Sequence, residues 1–595
     1  MKGQIKRIFQ LLMSSTCLML SGCSSIYDLG VIDLKYYDNE DVIKGYNSEL
    51  YYRNDLEFDG ADPTVIYINE GEHAGYFMMY LAKSEAVNVY RSKDLANWES
   101  ISVCFNPPSG SWGVSDLWAP SCIYDETDGK YYLFYSATNR NQKDGYVNTK
   151  YLGMAYSDNP AGPFVPFVGT NGNGTKMDID TPLFDIELLN PNNENYKFYK
   201  RGSSFIDAFP FIDPVTGDKY LYMSRTRNVH PSNIIAGVKM KDWMTPDYST
   251  YTELTTVNKT TLNGNEVTER FEGADVVNAI NEAPNMIYHD GKYYLTFSVC
   301  ATSDPEYSVM QAIGDSPLGP FTKVQESDGG VVLGVEMTEY GSQAWDHVLC
   351  TGSHSFVYDG DDLWVVYHQD RNRLSEGGTG VGNFERGIAI DRVDFVKNEL
   401  GQTIIHCNGP TTSIQPKVYS SLKYKNIISD AKVTAVSKQF INVGTGKKLK
   451  SELLVDELMK LRSYDKVEEL VSEKNVMITI KFDDYRTIKS LLIYNSSDYY
   501  KAFEKIEKID FKFRKKLEGK PCVGTARISD VEYDFGSYSN ADMPYATSTL
   551  YMRPGAPMIF EFEELEVNEI SIQIPCPDDK DEIALNEIVI LGKEL

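Results

Sequence analysis

The stretch that decides the fold is Asn281-Glu282-Ala283-Pro284-Asn285-Met286-Ile287-Tyr288, continued by His289-Asp290-Gly291-Lys292-Tyr293-Tyr294-Leu295. It reads as a β-hairpin: a short apolar run opens beside a carboxylate, Asp-Gly reverses the chain, and an aromatic strand returns. The returning strand recurs as Gly75-Tyr76-Phe77-Met78-Met79-Tyr80, Gly129-Lys130-Tyr131-Tyr132-Leu133-Phe134, Gly217-Asp218-Lys219-Tyr220-Leu221-Tyr222 and Asp362-Leu363-Trp364-Val365-Val366-Tyr367. Each copy follows a short strand, and the five strands open with Asp62-Pro63, Trp118-Ala119-Pro120, Asp207-Ala208, Glu282-Ala283 and His354-Ser355.

A spacing of roughly 50 to 90 residues suits the multi-stranded blades of a propeller with loop insertions. The first strand of each blade lines the central channel, so five equivalent strand starts bring Asp, Trp, Asp, Glu and His together. That composition points to an active site.

The chain has 595 residues, enough for more than one core. Its formal net charge of −27 opposes binding to phosphate backbones, so nucleic acid is excluded as a partner. Lys2, Lys6 and Arg7 precede an apolar segment from Ile8 to Leu20 that is too short to span a bilayer. Leu20-Ser21-Gly22-Cys23 resembles a bacterial lipoprotein box. Residues 1–23 therefore read as a lipoprotein signal. Membrane association would run only through lipid on Cys23, at the periplasmic or outward face of an outer membrane. Seven cysteines remain beyond the signal, without CxxC or metal-ligand spacing. Mostly buried thiols are expected, with room for one bridge such as Cys104–Cys122.

Residues 24–57 read as a tether running along the first domain, and 58–412 as the five-bladed β-propeller. Residues 413–595 read as a C-terminal β-sandwich of jelly-roll type, giving an all-β protein. Recurrent turns end the outer strands at Arg91 to Trp98, Ser157 to Phe164 and Gly314 to Phe321, where Pro and Gly supply the turn dihedrals. Inserts at 171–200 and 247–278 are expected as loops on the propeller faces. In the C-terminal part, Leu453 to Glu469 reads as a helix among short alternating strands. The segment from Ile488 to Asn495 and the closing stretch from Asn586 to Gly592 resemble galactose-binding-like domains, with a brace on the propeller as the other role.

Three carboxylates around one channel suit glycoside hydrolysis with inversion. Two carboxyl groups then face each other across the scissile bond, roughly 6.5–9.5 Å apart. One is ionised to activate water, and the other keeps its proton for the leaving oxygen. A third carboxylate beside the acid raises its pKa.

On these residues the propeller resembles glycoside hydrolase family 43. The resembling motifs are Ala61-Asp62-Pro63-Thr64, Ser92-Lys93-Asp94-Leu95 with Trp98, Leu117-Trp118-Ala119-Pro120, Phe205-Ile206-Asp207, Asn281-Glu282-Ala283-Pro284, Gly352-Ser353-His354-Ser355, and Arg386 ahead of Asp391-Arg392-Val393. The resemblance implies Asp62 as general base, Glu282 as general acid, and Asp207 as the residue that raises the acid's pKa. It also implies Arg386 beside Asp207 and His354 projecting toward a calcium ion or an ordered water in the channel. Trp118 is expected as a stacking wall for a sugar. Ala283 stands where the family usually has Gly after the acid. Glu272 in the insert ranks behind Glu282, and Asp94, Asp213, Asp290 and Asp359 read as turn caps.

The expected activity is exo-acting α-L-arabinofuranosidase or β-xylosidase on plant cell-wall polysaccharide or oligosaccharide, by a monomer needing no cofactor beyond a structural calcium. Galactosidase, galactofuranosidase or endo-arabinanase action is the alternative within the family. A non-catalytic glycan-binding lipoprotein is the alternative outside it.

Overall fold

In the computed structural model, the described residues are 26–594 except 44–48, 55–57, 84, 140–149, 185–203, 227–232, 257–258, 263–264, 269–279, 303–305, 335–338, 341–342, 345–347, 371–385, 412, 440–445 and 534–554. The signal segment with Cys23 and the alternative acid Glu272 lie outside them. No helix among the described residues is long and apolar enough to cross a membrane.

Five antiparallel sheets follow one another, each beginning with an inner strand: Thr64–Ile68 in blade 1, Trp118–Asp125 in blade 2, Ser204–Ile212 in blade 3, Asn281–His289 in blade 4 and Leu349–Asp359 in blade 5. The second strands are Tyr76–Lys83, Lys130–Thr138, Lys219–Thr226, Lys292–Val299 and Asp362–Asp370. Inner strands neighbour one another in turn, and blade 5 meets blade 1 to close the ring. Phe58 to Gly60 helps that closure by pairing with the third strand of blade 5. Gly60 N–H donates to Arg386 O at 3.0 Å, and Ile388 N–H donates to Phe58 O at 3.0 Å.

Side chains alternate across a strand, so each second strand feeds two cores. In blade 1, Met78 and Tyr80 join the cluster shared with blade 2, while Phe77, Met79 and Leu81 join the one shared with blade 5. The abundant tyrosines fill these seams and keep their hydroxyls paired. Tyr80 donates to Pro160 O and Tyr222 to Pro317 O, each in a recurrent turn of the next blade. All seven described cysteines are free thiols and six are buried; Cys104 and Cys122 lie unbridged in the seam between blades 1 and 2.

Among the described residues, nine strands of the C-terminal region join one N-terminal strand in a ten-stranded sheet, with a large apolar core and a second, smaller cluster where Leu492, Tyr494 and Ile559 meet Val42, Leu50 and Tyr51. The sheet's long strands Val476–Asn495 and Pro557–Ile574 pair with each other through both halves. The stretch read as a tether does more than span a gap. Tyr27–Asp33 adds in parallel to Lys520–Glu532 as an edge strand of the C-terminal sheet, not of the propeller. Asn39 fastens it by donating to Pro557 O and accepting from Ile559 N–H.

The helix expected over Leu453 to Glu469 does not form; only Ser451–Leu454 makes a 3₁₀ turn. Apolar periodicity there is overridden because side-chain acceptors take the backbone donors a helix would need. Glu457 N–H donates to Glu587, Met459 N–H to Asn408, Lys460 N–H to Asn586, and Leu461 and Arg462 N–H to Asp465. Since Asn408 follows blade 5 and Asn586 belongs to the C-terminal sheet, the segment is a strap between the two. The insert expected as loop at 247–278 contains a strand, Thr252–Thr255, on blade 3, and a hairpin of Lys259–Leu262 with Asn265–Thr268.

Candidate active site

The site is built from a left-handed residue repeated near the start of every inner strand, within a bulge in blades 2 to 5 and just ahead of the strand in blade 1. Asp62, Ala119, Asp207, Ala283 and Ser353 all adopt left-handed φ, between 42° and 56°. Register shifts mark the bulge between Trp118 and Ser121, Ile206 and Phe209, Glu282 and Asn285, and Gly352 and Ser355. Non-glycine residues rarely take this conformation, and five in equivalent places mark a strained, functional rim.

This registration corrects the equivalence expected from sequence. Asp62 and Asp207 occupy the left-handed position itself. Glu282 and Trp118 stand one residue before it, and His354 one after. The five side chains share a rim but leave it in different directions, because successive residues of a strand point to opposite faces.

Side chains on the second strands hold the bulges. Asp207 N–H donates to Ser136 Oγ at 3.1 Å, Ala283 N–H to Ser224 Oγ at 2.9 Å, and Ser353 N–H to Ser298 Oγ at 2.9 Å. Each link joins one blade to the next. At the junction of blades 5 and 1 the equivalent residue is His368, whose Nδ1 lies 3.4 Å from Asp62 N.

Asp62 also has His368 Nδ1 and an Arg386 guanidinium nitrogen each 3.5 Å from Oδ1. Burial opposes its ionisation, but the His368 imidazole and the Arg386 charge beside it outweigh that and hold the carboxyl well below the usual range. Arg386, expected beside Asp207, meets Asp62 as well, and its charge favours ionisation of Asp207 and Glu282.

Glu282 is buried and accepts from Tyr307 Oη–H at 3.0 Å. Burial first, then the Asp207 charge, push its carboxyl up to about 8. Asp207 is raised as well, by burial and by Asp62. Of this pair Asp207 is the better anion: its Oδ2 accepts from Ser224 Oγ–H at 2.8 Å and from Ala283 N–H at 3.1 Å. The proton therefore resides on Glu282. One rim holds an ionised carboxylate and a protonated one.

Trp118 is 48% exposed, with the Lys150 ammonium 3.6 Å from its ring centroid. Asp116 lies 3.5 Å from that ammonium. His354 is buried: its Nε2 meets Thr296 Oγ1 at 2.6 Å, and burial pushes its pKa down to about 3. Its Nδ1 has no partner among the described residues, which offer no group of three or more His, Cys, Asp or Glu able to hold a metal ion. Calcium takes six to eight oxygens, so one imidazole nitrogen is not by itself a calcium site. Asp94 and Asp213 do cap turns: Asp94 accepts from Ala96 and Asn97 N–H and Asp213 from Val215 N–H. Asp359 instead ends the inner strand of blade 5 and accepts from the distant Ser420 N–H, tying blade 5 to the segment that follows it.

Three site residues escaped the sequence reading. Ser224 and His368 share one position in the repeated second strand and are found by aligning the blades. Tyr307 sits among so many other tyrosines that nothing local marks it.

Comparison with known proteins identifies the family of the propeller region. The model of "Glycosyl hydrolases family 43" matches residues 53–188 and 188–400, more than half of the chain. A "Beta-xylosidase" of Xylanibacter ruminicola is 26% identical over 264 residues, covering 44% of this chain and 66% of that protein. "Xylosidase/arabinosidase 43A" of Humicola insolens is 27% identical over 277 residues, covering 45% and 69%. The chain thus spans about two thirds of these relatives' lengths. A solved "thermostable family-43 glycoside hydrolase" is 26% identical and covers 60% of this chain and 96% of that one, with a TM-score of 0.43. The chain belongs to glycosyl hydrolases family 43.

Proposed function

We propose that the protein is an inverting, exo-acting glycosidase that releases arabinofuranose or xylose from plant polysaccharide or oligosaccharide. The observation that carries the chemistry is the unequal setting of the rim carboxyls: Asp62 lies beside His368 and Arg386, which favour its ionised form, and Glu282 is buried beside Asp207, which favours its protonated form. Titratable groups driven apart in this way divide base from acid. Asp62 takes a proton from a water, whose oxygen attacks the anomeric carbon. The glycosidic C–O bond breaks, and Glu282 gives its proton to the departing oxygen. Asp207 keeps Glu282 protonated until that moment, and the exposed Trp118 offers a face for the sugar. His354 Nδ1 holds an ordered channel water. The names of the xylosidase and arabinosidase relatives support the sugar, and the lipoprotein box supports anchorage at Cys23.

The test is hydrolysis of aryl arabinofuranosides and xylosides, with anomeric configuration followed by NMR. Asp62→Asn and Glu282→Gln should each abolish turnover of unactivated substrates without unfolding the protein. Full activity in Asp62→Asn, or a retained configuration, would overturn the assignment.

A further inference from the structure

The second strand of blade 5 departs from the pattern of its neighbours, and the departure lies between the proposed base and acid. Where blades 2, 3 and 4 place Ser136, Ser224 and Ser298, blade 5 places His368. A serine would suffice to accept the N–H of the next bulge, as the other three do. The imidazole does more. It is fully buried, reaches both the backbone and Oδ1 of Asp62, and lies parallel to the Tyr307 ring, with centroids 5.7 Å apart and planes 2° apart. Tyr307 in turn donates to Glu282 Oε1.

The backbone makes room for this arrangement. At the place in blade 5 equivalent to Glu282 stands Gly352, where a Cβ would come within 2.3 Å of the Tyr307 ring and 2.9 Å of Ser298 Oγ. Tyr307 could not occupy its place above a larger residue. The buried rings thus form an unbroken line from Asp62 through His368 and Tyr307 to Glu282.

We propose that His368 and Tyr307 form a stacked positioning pair that fixes the general base relative to the general acid, His368 acting on Asp62 and Tyr307 on Glu282. The proposal rests on the base and acid assignment above. Neither residue need touch substrate. Their work is to hold two carboxyl groups, carried on different blades, at one separation. A misplacement of about 1 Å costs on the order of 10²-fold in rate.

The propeller supplies its own test variant, because His368→Ser installs the residue three other blades use at this place. It should keep the Asp62 N–H linked and the protein folded, yet lose the contact to Oδ1 and the stack. We expect kcat to fall about 10²-fold with KM little changed, equally for dinitrophenyl and unactivated phenyl glycosides, since water activation is needed whatever the leaving group. Tyr307→Phe should instead impair the unactivated substrate more than the dinitrophenyl one, following Glu282→Gln. His368→Asn, which returns a polar atom near the Nδ1 position, should recover part of the His368→Ser loss. The double variant should lose less than the product of the single losses, since directly coupled residues are not additive.

Circular dichroism and thermal melting establish that each variant is folded. His368→Ser with unchanged kcat, or a His368→Ser loss that depends on leaving group as Glu282→Gln does, would overturn the pair. Strictly multiplicative losses would overturn the coupling. Active Asp62→Asn would instead sink the underlying base assignment, so the two failures are distinguishable.

Discussion

Replacing Asp207 with Asn isolates the electrostatic part of the mechanism. The carboxylate leaves, while an amide of nearly the same shape still meets Ser224 and Ala283 N–H, the two partners of Oδ2. Two unit charges about 6 Å apart at an effective dielectric near 20 interact by roughly 3 kcal/mol, or about two pH units. The sign follows from which form is active. Glu282 must be protonated to act, its carboxyl stands at about 8, and the Asp207 charge raises it. Removing that charge lowers it, so the basic limb of kcat/KM against pH should move down by about two units. The assay is initial rate between pH 4 and 10 on a phenyl glycoside. A dinitrophenyl glycoside, which needs no proton, serves as control and should lack the limb. An unmoved limb, or one displaced upward, would refute the claim that Asp207 keeps the acid protonated.

The same raised carboxyl makes a stability prediction. A group whose pKa is higher in the folded than in the unfolded protein stabilises the fold at low pH and loses that contribution as pH rises through the folded value. Glu282→Gln should therefore melt increasingly above the wild type between about pH 4.5 and 8, as read by calorimetry at both ends of the window. Trp118→Ala should raise KM about tenfold with little change in kcat if the indole binds sugar alike in ground and transition states, a split that steady-state kinetics reads directly. Arg462→Met should lower stability by about 3 kcal/mol in denaturant melts, because it strips the buried Asp465 of its cation and Cys407 O of a donor. Asn39→Ala should cost about 1–2 kcal/mol by leaving Pro557 O and Ile559 N–H without their side-chain partner, and should raise protease sensitivity near the Tyr27–Asp33 strand.

The sequence by itself carried the five strand pairs, because a period of two with aromatic return strands and Gly turns is a local signal that recurs. It also marked Asp62, Asp207 and Glu282, since a carboxylate at the mouth of an apolar strand is conspicuous. Several features were decided only by tertiary structure. Glu282 stands one residue before the left-handed position that Asp62 and Asp207 occupy, and that offset follows from cross-strand register. Arg386 reaches Asp62 because Phe58 to Gly60 pairs with its strand across the ring closure. The segment after Leu454 looked helical until Asn408, Asp465, Asn586 and Glu587 claimed its backbone donors, three of them distant in sequence. Aligning the blades singles out the position of His368 but not its partner, and nothing local marks Tyr307. Their meaning lies in a stack between two blades, and periodicity along a chain records which face a residue takes, not which residue of another blade it will meet.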